Sequence, residues 1–190
     1  MQPNDQAMAP RRAVPAAVAS SLLPVFTLTG LMVLSGLVRA RLPFTPVPVT
    51  FQTLVVLLGS ALYGARRGAA AQGLYLGLGA AGAPVFAGGA GLAMMAGPTG
   101  GYLLGFLLAA ALVGRLLGGR PASLARVGAV MALGEIVIMG VGATYLTALG
   151  FSPGPAFALG VAPFILWDAV KVFVATTSYR LIVGRAESNG

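Results

Sequence analysis

Long apolar stretches make up most of the chain, and short segments with prolines, glycines or arginines separate them. A helix that crosses a bilayer needs about 20 mostly apolar residues, with a range of about 17–25. By this measure the pattern predicts an all-α integral membrane protein that forms one domain over residues 1–190. Its six predicted spans, of which the third is the shortest, cover approximately residues 14–38, 49–65, 68–82, 102–118, 127–148 and 156–183.

Two segments between the spans are expected to be irregular. Residues 39–48 read RARLPFTPVP, and the prolines of this run forbid a regular helix. Residues 83–101 are uncharged and rich in glycine, so we expect a loop that packs into the protein. The pair Arg66–Arg67 marks the turn between the second and third spans, and Pro163 kinks or restarts the last one.

Composition and charge agree with a membrane protein. The chain is 57% apolar and 8% charged, with a mean hydropathy of +0.90, whereas soluble domains carry roughly 25% charged residues. The net charge of +8 comes from basic residues spread in small groups between the apolar stretches. This distribution is typical of membrane loops and argues against a nucleic-acid partner.

The arginines also predict the orientation. Six spans would place Arg39 and Arg41 on one side of the membrane, and nine arginines on the other. Because positively charged loops stay in the cytoplasm, both termini are expected there. The nine arginines are Arg11, Arg12, Arg66, Arg67, Arg115, Arg120, Arg126, Arg180 and Arg185.

The residue types exclude much of enzyme chemistry. The sequence contains no cysteine and no histidine, which removes disulfides, the usual zinc sites and catalysis by Ser-His or Cys-His pairs. We therefore expect a protein that is not an enzyme and that has no metal site and no cofactor. The segment GAGLAMMAGPTGG lacks the Gly-Lys-Ser/Thr of a phosphate-binding loop, so the chain cannot hydrolyse ATP itself.

Three charged residues fall inside predicted spans, namely Glu135, Asp168 and Lys171. A charge at the centre of a bilayer costs at least about 2.5–3.5 kcal/mol, so such residues point to function. Asp168 and Lys171 are three residues apart and share one helix face. They could form an internal ion pair that stabilises the position of the helix. We favour the alternative that they form a site that binds a polar ligand. For Glu135 a structural and a functional role both stay open.

Depth in the membrane groups further polar residues with this pair. Asp168 lies twelve residues before Arg180, which is about 18 Å along a helix and places it in the outer half of the bilayer. The same topology puts Gln52, Thr53 and Tyr102 at the outer level, and Tyr75 deep enough to line a floor. A role for Tyr75 in packing between helices explains its position equally well. The sequence therefore predicts a polar pocket that opens outward beneath the two irregular loops.

Four motifs resemble those of the BioY family, the biotin-binding S components of energy-coupling factor (ECF) transporters. They are RLPFTPVPVTFQTLVVLLGSALYGARRG, YLGLGAAGAPVFAGG, GPTGGYLLGF and PFILWDAVKV, and the resemblance covers about residues 40–180. It implies six helices, high-affinity biotin capture from outside, and the cytoplasmic membrane of a prokaryote. It also implies a transmembrane T component and paired ATPases as partners. The small residues Ala13 and Ala17 become candidates for docking on the T component.

The chemistry of biotin suits the charged pair. A ureido ring offers two N–H donors and one C=O acceptor, while a carboxylate accepts and an ammonium donates. We therefore expect Asp168 to bind the N–H edge and Lys171 the C=O. The ligand carboxylate would point outward, to Arg41 or to the backbone N–H groups of the Gly97–Gly101 loop. The apolar part of the ligand would lie against Tyr75, Phe86, Tyr102 and Trp167, with Gln52 and Thr53 also at the site.

An alternative function is a stand-alone ion-coupled carrier for a small vitamin-like acid. Asp168 or Glu135 would then relay protons. Such carriers often contain internal repeats, and none is visible in this sequence. The residues alone leave open whether the protein works singly, as a homo-oligomer among membrane lipids, or only with an energising module.

Overall fold

The computed structural model describes residues 22–188, with side chains as far as Arg185. This part of the chain is almost wholly helical, and one short antiparallel strand pair accompanies the helices. The elements are α1 (Leu23–Leu37), β1 (Arg39–Ala40), β2 (Val49–Thr50), α2 (Gln52–Ala80), α3 (Leu92–Ala96), α4 (Gly100–Leu116), α5 (Leu124–Ala148), α6 (Pro153–Gly160) and α7 (Ile165–Ser188). The predicted helical fold class is therefore confirmed for the described residues.

Helix α2 consists of two arms that fold back on each other at Gly64. Gly64 has φ 84° and ψ 170°, a backbone conformation that glycine adopts without steric cost. The reversal is evident from Gln52 and Tyr75, whose side chains are 2.6 Å apart, although a straight helix would separate them by about 35 Å. The first arm (residues 52–63) and the second arm (residues 65–80) thus form an antiparallel hairpin. Its turn lies two residues before the predicted one at Arg66–Arg67.

Two loops cover one end of the helices. The proline-rich loop, residues 41–48, connects β1 to β2 and is fastened to α6 by a hydrogen bond of 2.6 Å from Thr45 Oγ1 to the Leu159 carbonyl. The glycine-rich loop, residues 81–99, contains the five-residue helix α3. Its backbone returns to α2 through a hydrogen bond of 2.7 Å from the Gly91 N–H to the Gly79 carbonyl.

The last helical segment is broken. Helices α6 and α7 are separated by residues 161–164, and their axes differ by 53°. Pro163 lies in this break, where its ring cannot continue a regular helix. The backbone resumes with a hydrogen bond of 2.8 Å from the Asp168 N–H to the Phe164 carbonyl, so residues 164–168 already follow the course of α7.

The outer surface of the bundle is strongly apolar. Large side chains on α1, α5 and α7 are more than half exposed, among them Leu34, Ile136, Leu166 and Phe173. Soluble monomers rarely expose contiguous apolar surface of this kind. Within residues 22–188, α5 alone is long and apolar enough to cross a membrane, and the bent α6–α7 pair is a second candidate if it forms one span. Helix length thus accounts for one or two of the six predicted spans.

Candidate binding pocket

A cavity of about 360 Å³ lies between the two loops and helices α2, α4, α5 and α7. Its volume is in the range of sites that bind small molecules. The loops supply its outer wall, and the first arm of α2 and helix α7 supply most of its polar groups. Seven of the residues predicted for the site line it: Arg41, Gln52, Thr53, Phe86, Tyr102, Asp168 and Lys171.

The charged pair lies at the buried side of this cavity. Lys171 Nζ donates a hydrogen bond of 2.7 Å to Asp168 Oδ1, and the two residues are only 5% and 4% exposed. Spacing of three residues on α7 brings both heads to one face. Asp168 Oδ2 has no hydrogen-bond partner among residues 22–188. The pair therefore offers a ligand one unused acceptor and the remaining ammonium hydrogens.

Thr53 presents a second unused polar group. Its side chain is 5% exposed, and its Oγ1 finds no hydrogen-bond partner in the described part of the chain. A buried hydroxyl without a partner is costly. Because Thr53 lines the same cavity as Asp168, a polar ligand would satisfy both.

Gln52 is already engaged by the protein. Its Nε2 donates to Tyr75 Oη at 2.6 Å and to the Met32 carbonyl at 3.3 Å. Its Oε1 accepts from Thr50 Oγ1 at 3.4 Å. Tyr75 Oη in turn donates to the Val85 carbonyl at 3.3 Å. Gln52 therefore joins α1, both arms of α2 and the glycine-rich loop, and holds the pocket wall in place.

Tyr75 lies behind the cavity wall. It is fully buried, and its ring meets Phe86 edge to face, with centroids 5.4 Å apart. Phe86 itself lines the cavity. Tyr75 thus positions Phe86 instead of contacting the cavity, and this corresponds to the helix-packing reading of its role.

Tyr102 joins α4 to the break between α6 and α7. Its Oη donates a hydrogen bond of 2.7 Å to the Gly160 carbonyl. The ring fits against α5 only because residue 142 is glycine, since a Cβ there would lie 2.3 Å from Tyr102 Cε1. The ring can therefore line the cavity while its hydroxyl fixes the neighbouring helices.

Two residues predicted to bind the ligand, Tyr75 and Trp167, do not line the cavity. Trp167 is 54% exposed on the outside of α7, because one residue along a helix turns the side chain by about 100° from Asp168. The expectation that Trp167 packs against the ligand is therefore corrected. The docking candidates Ala13 and Ala17 lie outside the described residues.

Sequence reasoning missed much of the apolar wall. Phe106, Ile138 and Phe164 all line the cavity and are buried or nearly so. A signal for two of them was present, because Phe106 follows Tyr102 by four residues and Phe164 precedes Asp168 by four. Ile138 follows Glu135 by three residues and so shares its helix face, but the sequence leaves the role of Glu135 open.

Glu135 is the third charged residue of this region. It is 7% exposed, and neither carboxyl oxygen has a hydrogen-bond partner within residues 22–188. Its carboxyl group interacts with the side chains of Asp168 and Lys171 on α7. In the same residues, no group of three or more His, Cys, Asp or Glu side chains could hold a metal ion.

A helical bundle with an apolar outer surface, and with a largely apolar cavity lined by a few polar groups, is typical of a membrane protein that binds a small molecule. Residues 7–187 match the BioY family, and the chain belongs to this family. The predicted family is thereby confirmed, and it is a family of transporter components, not of enzymes.

A solved structure with the same fold is the S component for biotin from an ECF-type ABC transporter. The two chains are 25% identical, with a TM-score of 0.78, and the match covers 94% of this chain and 96% of the other. A search of curated protein sequences found no match.

Proposed function

We propose that this chain captures biotin with high affinity as the S component of an ECF transporter, for uptake across the cytoplasmic membrane of a prokaryote. The observation that carries the proposal is the buried Asp168–Lys171 pair, which keeps an unused carboxylate oxygen and ammonium hydrogens at the wall of the cavity. Membership of the BioY family and the likeness to a biotin S component support the identity of the ligand.

The ureido ring of biotin fits the buried end. One ureido N–H would donate to Asp168 Oδ2, and the ureido C=O would accept from Lys171 Nζ. Thr53 Oγ1, which lacks a partner in the described residues, would complete the polar contacts. The thioether ring and aliphatic chain would lie against Phe86, Tyr102 and the other apolar residues of the wall.

Titration of the purified protein with biotin by calorimetry tests this assignment. Asp168→Asn and Lys171→Ala should each weaken binding by about tenfold or more, because each loses a hydrogen bond to a charged group. Thr177→Ala is a matched control on the same helix, since Thr177 is half-buried, does not line the cavity and donates its hydroxyl to the Phe173 carbonyl. Unchanged affinity in both pocket variants would end the ureido assignment.

The ligand carboxylate would point towards the pocket mouth. Arg41 is exposed and lines the cavity from the proline-rich loop, so its guanidinium can meet an anion. Arg41→Ala should weaken biotin binding, whereas Arg39→Ala, which changes an exposed arginine in β1, should not. An amide derivative of biotin should bind wild type and Arg41→Ala equally well. If it distinguishes them as biotin does, the proposed orientation is wrong.

The proposed topology has six spans with both termini in the cytoplasm. The spans would be α1, the two arms of α2, α4, α5 and the bent α6–α7 pair, and the arginine distribution supports their orientation. Because the natural chain has no cysteine, single-cysteine variants give a clean test. A membrane-impermeant thiol reagent should label Ser152→Cys in intact cells, and Ala125→Cys only after permeabilisation. The opposite pattern would refute this topology.

Transport would require a transmembrane T component and paired ATPases. The sequence has no phosphate-binding motif, so ATP hydrolysis has to come from other subunits. Ala13 and Ala17 would dock on the T component through close helix packing. Co-expression with such a module should make biotin uptake dependent on ATP. Uptake by the chain alone that collapses with the proton gradient would instead favour the ion-coupled carrier.

A further inference from the structure

Glu135 and Asp168 present a hydrogen-bonding problem that the proposed biotin site does not solve. Glu135 on α5 is buried, and both of its oxygens lack a partner in the described chain. Its carboxyl group is within hydrogen-bonding reach of Asp168 on α7. Asp168 Oδ2 is also without a partner among these residues. Two acceptor groups thus face each other inside the protein.

Two ionised carboxylates cannot satisfy each other, because each can only accept hydrogen bonds. Asp168 is compensated by Lys171, whose Nζ lies 2.7 Å from Oδ1. A second negative charge on Glu135 would leave the buried group of three with a net charge of −1. Burial of an uncompensated charge is far more costly than burial of a neutral carboxylic acid.

Among the described residues, Lys171 is the cation that interacts with Glu135. Helix α7 contributes Asp168 and Lys171. On α4, the Tyr102 ring packs against Gly142 of α5 instead, and its hydroxyl is held by the Gly160 carbonyl. The arginines nearest the start of α5 are Arg120 and Arg126. Arg126 precedes Glu135 by nine residues, about 14 Å along the helix. In the second arm of α2, Tyr75 is bonded to Gln52 and Val85.

We propose that Glu135 is a protonated positioning residue, whose carboxyl O–H donates to Asp168 Oδ2 and keeps the three-residue group electrically neutral. This proton would fix Asp168 against Lys171 and still leave Oδ2 a lone pair for a ligand N–H. A neutral group matches the uncharged ureido ring, so this inference rests on the proposed function. It gives Glu135 a role in selecting a neutral polar head group at the buried end of the cavity.

Glutamine mimics the neutral form of Glu135, because its amide N–H can also donate a hydrogen bond and the side chain has nearly the same shape. Calorimetric titration at neutral pH should therefore find that Glu135→Gln binds biotin within about threefold of wild type, and that Glu135→Ala binds about tenfold more weakly. Raising the pH should weaken binding by wild type more than by Glu135→Gln, because only wild type can lose this proton. Lys171 is common to both proteins, so the difference isolates Glu135.

An infrared measurement on ligand-free protein gives a readout that does not depend on biotin. The chain has only four Asp and Glu side chains, so the carbonyl band of one protonated carboxylic acid is assignable at neutral pH. Wild type should show this band, and Glu135→Gln should lack it. Absence of the band in wild type, or a tenfold loss of affinity in Glu135→Gln, would overturn the proposal. Failure of wild type to bind biotin would instead refute the proposed function, and the infrared band would still test the proton.

Discussion

Replacing Lys171 by methionine removes the ammonium group but keeps a side chain of similar length. The pair with Asp168 is buried, with Nζ and Oδ1 at 2.7 Å and both side chains about 5% exposed. Removal of one partner from a buried ion pair typically costs about 3–5 kcal/mol, because the other charge stays buried without compensation. We therefore expect Lys171→Met to lower the free energy of unfolding by about that amount.

The double variant separates stability from binding. Asp168→Asn combined with Lys171→Met replaces the ion pair by neutral groups, which is often neutral or stabilising. Its free energy of unfolding should return close to that of wild type. Its affinity for biotin should not return, since loss of a charged hydrogen bond to the ligand is worth about 1.5–3 kcal/mol, or roughly 10–150-fold in Kd.

Chemical denaturation in mixed micelles measures the stability of the three proteins, and biotin titration measures their affinity. Two results would refute the reasoning. If Lys171→Met unfolds like wild type, the pair does not experience a buried environment. If the double variant binds biotin as wild type does, the pair is not the ligand-binding group.

Two further substitutions have matched controls in the chain. Tyr75→Phe should lower the free energy of unfolding by about 1–3 kcal/mol, because the Gln52 amide loses its phenol partner inside the protein. The control Tyr63→Phe, at an exposed site, should change the free energy of unfolding little. Equal losses for the two variants in chemical denaturation would contradict the buried network. Gly142→Ala should reduce biotin affinity, since the new Cβ would lie 2.3 Å from the Tyr102 ring, whereas Gly140→Ala meets no described atom within 4 Å. Equal titration curves for the two alanine variants would show that the Tyr102 position does not matter.

The sequence made several parts of the pocket predictable. Asp168 and Lys171 share a helix face by spacing alone, and the hydrophobic pattern placed Gln52, Thr53 and Tyr102 at a common depth. All five line the cavity. Their shared position at the cavity was predictable because helical periodicity and the limits of apolar stretches are local properties of the chain. Their contacts with a ligand stay a prediction.

Other parts depend on packing between helices. The 2.6 Å bond between Gln52 and Tyr75 requires the register of the two arms around Gly64. The approach of Glu135 to Asp168 depends on how α5 is rotated against α7. Trp167 illustrates the same limit, because its neighbour Asp168 faces the cavity while the indole faces outward. Helix rotation follows from side-chain interdigitation across the bundle, which single-sequence periodicity does not specify when a helix is apolar all round.

The most direct test of the account is calorimetric titration of the purified wild-type protein with biotin, beside Asp168→Asn under identical conditions. We predict one high-affinity site per chain in wild type and a loss of about tenfold or more in Asp168→Asn. Absence of saturable binding to wild type, or equal affinity in the two proteins, would contradict the claim that the Asp168–Lys171 pocket captures biotin.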